Sequence, residues 1–321
     1  MKKFLLNTLA ISVLFIGFIS ITVLLLNNHI SKKAIYPLNG ADQYLILGHS
    51  HPQCAYDDSI IHGYKNVASG GESYFFTYYK SLLLLKNSSP IKGVFIEFTN
   101  NQIESSMNDW IWGDKYLNER YPYYSPYIEK SDLKFLISKN SHFFSQTIPI
   151  SIKKNTLYTL ANKFDYTRLG GYTPVYKSKT DSFLRVFDTL KTTIDTTISY
   201  HHISYLKKLI ALFQEKNIKV FLIRSPQHKK YNGYYNEKKF IEILKNHFDT
   251  IPFLDFSSFP LKNSEFADLE HLNKNGSMIF SSWFYEKIAF SPILQNNNQD
   301  TIEDFIKREI ELGTLRLTSH D

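Results

Sequence analysis

Residues 44–57 read YLILGHSHPQCAYD. A short apolar run, QYLILG over 43–48, stops at Gly48 and gives way to His49, Ser50 and His51. A strand buried on both faces of a parallel sheet has this continuous apolar character, without the alternation of a half-exposed strand. The polar segment after the run admits three readings: a strand end that delivers a nucleophilic serine, a His-x-His pair of metal ligands, or a polar turn.

Working outward, the same kind of run recurs between helical patterns. SYFFTYYKSLLLLKN (73–87) is broadly apolar and helical, and IKGVFIEFTNN (91–101) is a second buried strand. ISYLKKLIALFQEKN (203–217) places Leu206, Leu209, Ile210 and Phe213 at i, i+3, i+4 and i+7, the stripe of an amphipathic helix. It leads into IKVFLIRSP (218–226), a third strand ended by Pro226. EKKFIEILKNHF (237–248) is a helix, IPFLDFS (251–257) a fourth strand, and NKNGSMIFSSWFYEKI (273–288) a final helix. Strands alternating with helices predict an α/β fold with a parallel sheet covered on both faces, in which ligands sit beyond the carboxyl ends of the strands. Residues 103–200 break that rhythm and read as an insertion that caps the active face or as an irregular surface excursion. The charged tail, 296–321, reads as a peripheral helix.

The N-terminus is a separate unit. Lys2 and Lys3 precede Phe4–Leu26, which contains no charge. At the helical rise these residues reach about 35 Å, enough for a hydrocarbon core of about 30 Å. LLLNNHISKK (24–33) offers no small-residue cleavage site. Residues 1–30 are therefore expected to form a single-pass signal anchor, N-terminus in the cytoplasm, with residues 31–42 as a linker and 43–295 as the globular domain. The net charge of +7 is spread along the chain, with no clustered basic stripe, and nucleic-acid binding is not expected. The lone cysteine, Cys54, excludes an internal disulfide and reads as a small buried residue.

Four short segments at or near the ends of these elements carry the candidate site residues. Ser50 follows the first strand. Gly71, in NVASGGES (66–73), offers an unshielded backbone N–H. Asn101 follows the second strand, and Asp268 and His271, in ADLEHLNKNG (267–276), precede the last helix. A serine hydroxyl is a poor nucleophile at neutral pH unless an imidazole takes its proton, and a carboxylate on the other ring nitrogen fixes the tautomer. N–H donors from Gly71 and Asn101 would stabilise the oxyanion formed on attack. The set supplies the parts of an acyl-transfer site.

In order and spacing these blocks resemble the SGNH/GDSL hydrolase superfamily. Gly48-His49-Ser50 stands where that family has Gly-Asp-Ser. Asn66 precedes Gly71 by the family's interval, Asn101 falls at the asparagine of its third block, and Asp268-x-x-His271 matches the last. Two departures are evident: His49 replaces an aspartate, and Thr99-Asn100-Asn101-Gln102 stands for Gly-x-Asn-Asp. The resemblance covers about residues 43–102 and 203–290. It implies a flavodoxin-like three-layer α/β/α sandwich, with Ser50, His271 and Asp268 catalytic and Gly71 and Asn101 in the oxyanion hole. His49 and His51 would contact substrate, and neither cofactor nor metal is implied. It further implies a membrane-anchored domain, periplasmic or extracellular, that hydrolyses or transfers acyl esters on a cell-envelope glycan, with an acyl-donor membrane protein as partner. Two alternatives stay open: a catalytically silent glycan-binding or assembly module, and a metal-dependent hydrolase using His49 and His51 with His228 and Asp255. Trp110, Trp112, Tyr121, Tyr123, Tyr124 and Tyr127 read either as a sugar-stacking platform or as core packing.

Overall fold

The computed structural model describes residues 1–86, 91–166, 169–186 and 197–318. Residues 167–168 and 187–196 of the expected insertion and 319–321 of the tail lie outside them. The chain divides into two compact units.

The larger unit comprises Leu38–Tyr78, Ser88–Asn108 and Thr167–Asp321. Its centre is a five-stranded parallel sheet in the order β2-β1-β3-β4-β5: β1 (Tyr44–Leu47), β2 (Tyr64–Asn66), β3 (Gly93–Glu97), β4 (Lys219–Arg224) and β5 (Phe253–Asp255). The four apolar runs are β1, β3, β4 and β5. The fifth strand, β2, has no such signal, because three residues reading Tyr-Lys-Asn make no apolar run. Alternate residues of β1, β3 and β4 point to opposite faces, and both sets are buried: Ile46, Phe95 and Phe221 on one, Leu45, Leu47, Val94, Ile96 and Leu222 on the other. Helices therefore cover both faces.

On the first face the core joins Ile46, Phe95, Phe221, Ile223 and Leu254 to Phe280, Trp283 and Phe284 of α11 (Lys274–Lys287). The C-terminal tail completes this core. It forms α12 (Gln299–Thr318), and its Ile302 and Ile306 belong to the same cluster. Gln299 also serves as a mock neighbour strand for β5: its Oε1 accepts from the Phe253 N–H at 3.0 Å and its Nε2 donates to the Phe253 carbonyl at 2.9 Å. An open edge of the sheet is thereby capped. On the other face, Phe75 of α3 (Tyr74–Lys86) packs edge-on against Tyr205 of α9 (Tyr200–Gln214), and Phe98 meets Phe240 and Phe248 of α10 (Glu237–Phe248). The short helix α8 (Thr180–Val186) of the expected insertion also belongs to this unit, held by the Thr180 hydroxyl on the Phe266 carbonyl at 3.0 Å.

The smaller unit comprises Met1–Pro37, Tyr79–Asn87 and Asp109–Tyr166. Helix α1 (Lys2–Lys33) is long and apolar enough to cross a membrane, and it runs three residues further than the expected anchor. Its C-terminal end is tied down: Lys86 Nζ donates to the carbonyls of Ser31 and Lys32, and the Asn27 amide bonds the Ser125 carbonyl and receives the Asn155 amide. Residues 109–166 of the expected insertion are mostly helical here, as α4 (Asp109–Trp112), α5 (Asp114–Tyr124), α6 (Lys130–Lys139) and α7 (Ser141–Leu160). Tyr121 and Tyr124 are buried, Trp110 stacks on Tyr116, and Trp112 meets Phe135 edge-on, so the aromatics contribute packing inside this unit.

Candidate active site

Gly48 sets the direction of the chain at the end of β1. Its φ is +145°, and a Cβ there would stand 2.6 Å from Glu97 Cβ and 2.8 Å from Pro52 Cγ. Only glycine lets the ends of β1 and β3 approach this closely while the chain turns into α2 (Ser50–Ala55). Pro52 sits in the first turn of α2, where its missing N–H leaves no helical bond unmade. His49 caps that turn through Nδ1, which accepts from the His51 N–H at 3.4 Å. Ser50 is thus the first helical residue, partly exposed beyond the carboxyl end of the sheet.

The loop before α11 brings the base. Asp268 Oδ1 accepts from the backbone N–H groups of Glu270 at 2.8 Å and His271 at 2.9 Å, folding the loop into an Asx-type turn. Ala267 N–H bonds the His271 carbonyl at 2.8 Å, and Asn273 caps α11 while its amide holds the Ser264 carbonyl. With the loop pinned, His271 Nδ1 lies 2.9 and 3.0 Å from the two Asp268 oxygens, and Nε2 lies 2.7 Å from Ser50 Oγ. Burial raises the Asp268 carboxyl, but the imidazole of His271 and the two backbone N–H groups outweigh it and hold the group below its ordinary value. Asp268 is therefore ionised at neutral pH, the state that orients an imidazole. Ser50, His271 and Asp268, three residues drawn from both ends of the domain, form one hydrogen-bonded chain.

The two expected donors lie in the loops after β2 and β3. Asn66 is buried and structural: its amide holds the carbonyls of Pro52 and Tyr56 at 2.9 and 2.7 Å, and its Oδ1 accepts from the Ala68 N–H. That locks α2 to the segment 66–71, in which Gly70 N–H bonds Gln53 Oε1 and Gly71 adopts φ +70°. Among the described residues the N–H of Gly71 and of Ser50 make no hydrogen bond.

His49 and His51 are both buried. The inward direction of His49 explains its presence. Because Nδ1 accepts from His51 N–H, the proton sits on Nε2, which faces Thr99 Oγ1 at 3.4 Å. The Thr99 hydroxyl in turn donates to Asn101 Oδ1 at 2.7 Å. The relay fixes the Asn101 amide with its oxygen inward and leaves Nδ2, among the described residues, as an uncommitted donor. Burial, then the charge of His51, push the His49 imidazole well below its ordinary value, so it stays neutral and keeps this tautomer.

His51 is held differently. Its Nδ1 lies 3.1 Å from Gln227 Nε2 and 3.7 Å from Glu97 Oε1, and its Nε2 lies 3.6 Å from Glu270 Oε2, an ion-pair distance without a hydrogen bond. Burial lowers this imidazole, but Glu270 and Glu97 outweigh it and raise it to about 9. Glu97 is itself fully buried and accepts from the Ser225 N–H and hydroxyl at 3.0 and 2.6 Å. The motifs of the sequence do not single out Glu270 or Gln227; Glu97 opens the third block, two residues before Thr99, and stands as a lone charge in an apolar strand. His228 bonds Asn263, and Asp255 pairs with Arg224, so neither joins His49 and His51 in a metal set. Among the described residues the donor cluster that does form is His51, Glu270 and His271, without His49.

An uncharacterised family model matches residues 179–291, a stretch that holds Asp268 and His271 but not Ser50. No curated protein matches the chain.

Proposed function

We propose that this protein is a serine-dependent acyl-ester hydrolase or O-acyltransferase working through an acyl-Ser50 intermediate. The observation that carries the reading is the continuous chain from Ser50 Oγ through both nitrogens of His271 to Asp268, at 2.7 and 2.9 Å. In this reading His271 Nε2 takes the Ser50 proton as Oγ attacks the ester carbonyl, and Asp268 stabilises the imidazolium. The N–H groups of Ser50 and Gly71 and the Asn101 amide receive the oxyanion. His271 then returns the proton to the departing alkoxide, leaving acyl-Ser50. A water or an acceptor hydroxyl, deprotonated by His271, releases the acyl group.

The strand order 2-1-3-4-5 supports the flavodoxin-like, SGNH-type architecture in which such a site lies at the strand ends. Helix α1 supports a membrane anchor; the placement of the catalytic unit outside the cytoplasm rests on the sequence reading and the resemblance. The envelope glycan as acceptor or substrate, and an acyl-donor membrane protein as partner, rest on the resemblance alone.

A fluorophosphonate probe on the full chain in detergent tests the reading. Labelling of the wild type that vanishes in Ser50→Ala and in His271→Ala supports it. A folded wild-type protein that takes no label favours the silent glycan-binding module instead.

A further inference from the structure

Behind the serine, the two histidines His51 and His271 share a feature that acyl transfer does not require of His51. Each has its Nδ1 held from outside: that of His271 by both oxygens of Asp268, that of His51 by the side chains of Gln227 and Glu97. Each therefore presents Nε2 inward. Metal-binding histidines are oriented in this way, with an acceptor oxygen on the nitrogen away from the ion, which at His51 is Glu97 Oε1 at 3.7 Å. Glu270 reaches the same space, and one donor atom from each of His51, Glu270 and His271 lies within 4.8 Å of the others. His51 is 2% exposed, and its Nε2, aimed into this space, has no hydrogen-bond partner among the described residues, Glu270 Oε2 standing off at 3.6 Å. A buried polar atom left without a partner costs free energy, and a ligand that satisfies it recovers that cost.

We propose that His51, Glu270 and His271 form a binding site for a divalent transition-metal ion of the zinc type, and that the ion, when bound, takes His271 away from Ser50. Two imidazole nitrogens and one carboxylate oxygen suit zinc, which takes such ligands at about 2.0–2.2 Å, displaces the proton on His51 Nε2 to solvent and keeps a fourth position for water. Tetrahedral geometry at that bond length sets the donors about 3.3 Å apart. The Glu270 side chain is 45% exposed and its Oε2 already lies 3.6 Å from His51 Nε2, so small side-chain adjustments of the three ligands close the site. Because Asp268 occupies Nδ1 of His271, the ion takes Nε2, the nitrogen now 2.7 Å from Ser50 Oγ. The serine then has no base. The metal is an inhibitor in this arrangement and not part of the chemistry.

Binding does not depend on the acyl-transfer reading; only the block of Ser50 does. Calorimetric titration of the chelator-treated full chain with zinc chloride measures the first, and fluorophosphonate labelling with and without zinc measures the second. One saturable site, weakened at least about tenfold in His51→Asn and in Glu270→Gln, supports the proposal. Glu270→Gln, at an exposed side chain, keeps the test valid where His51→Asn fails to fold. Zinc slows labelling of the wild type, and the slowing is lost in Glu270→Gln. No saturable site, or a site unchanged in Glu270→Gln, overturns the proposal. Labelling unaffected by bound zinc overturns the claim that the ion takes His271. A protein that binds zinc at these residues yet never labels keeps the metal site and removes the acyl-transfer reading.

Discussion

Replacing Asp268 by asparagine tests the proposed base without dismantling the loop that carries it. The amide oxygen of the new side chain can keep the two bonds now made by Oδ1 to the backbone N–H groups of Glu270 and His271, at 2.8 and 2.9 Å. Its NH₂ group then falls at the Oδ2 position, 3.0 Å from His271 Nδ1. Two donors cannot face each other, and the amide oxygen, 2.9 Å from Nδ1, is already taken by the two backbone N–H groups. Nδ1 therefore presents its lone pair to the NH₂ and the ring proton moves to Nε2. That nitrogen, 2.7 Å from Ser50 Oγ, now donates where it must accept. The wrong tautomer in an otherwise intact triad costs about 10⁴ in rate, equivalent to about 5.4 kcal/mol of barrier. The assay is the second-order rate constant for fluorophosphonate labelling, with the melting temperature as a control for folding. In Asp268→Asn a fall of about 10⁴ at nearly unchanged melting temperature is expected. A variant that folds and labels within about tenfold of wild type would refute the tautomer argument.

Three further outcomes concern other residues. Asn101→Ala removes the uncommitted amide donor and is expected to slow labelling by about 10²–10³, measured against wild type at one probe concentration. Gly48→Ala places a methyl group 2.6 Å from Glu97 Cβ at a positive φ and should destabilise the larger unit by at least about 1–3 kcal/mol, read by denaturant unfolding. Lys154, desolvated among Tyr123, Tyr158 and Tyr166, is lowered to about 7 by burial. The folded state therefore disfavours its charged form: the penalty is full below pH 7 and fades as pH rises toward the unfolded value of about 10.4. Lys154→Met should stabilise the smaller unit at pH 6 and flatten the rise in its stability between pH 7 and 10, as followed by thermal melts across that range.

The sheet is legible in the sequence because four of its strands, β1, β3, β4 and β5, lie in apolar runs that need no tertiary information. The short strand β2 is not, since Tyr64–Asn66 owes its place to pairing with β1. The helices of 109–166 are hidden by local signals that tertiary packing overrides: Pro122 lies inside α5 and Pro149 inside α7, each of which reads as a breaker. The tail is legible as a helix, but not the burial of Ile302 and Ile306 that makes it part of the core. At the site, Ser50, Asp268 and His271 can be picked from their places beside predicted elements, and they meet. The duties of His49 and His51 cannot, because each depends on which ring nitrogen faces which neighbour. Close together in one motif, one supports Asn101 through Thr99 and the other turns toward two glutamates.

The central claim is that the Ser50 hydroxyl attacks an ester carbonyl with His271 as its base. Brief exposure of the full chain to p-nitrophenyl acetate, an acid quench and peptide mapping by mass spectrometry address it directly. The account predicts an acetyl group on Ser50 in the wild type and none at that residue in His271→Ala. Acetylation confined to lysines, or a Ser50 acetyl that forms as fast without His271, would contradict it.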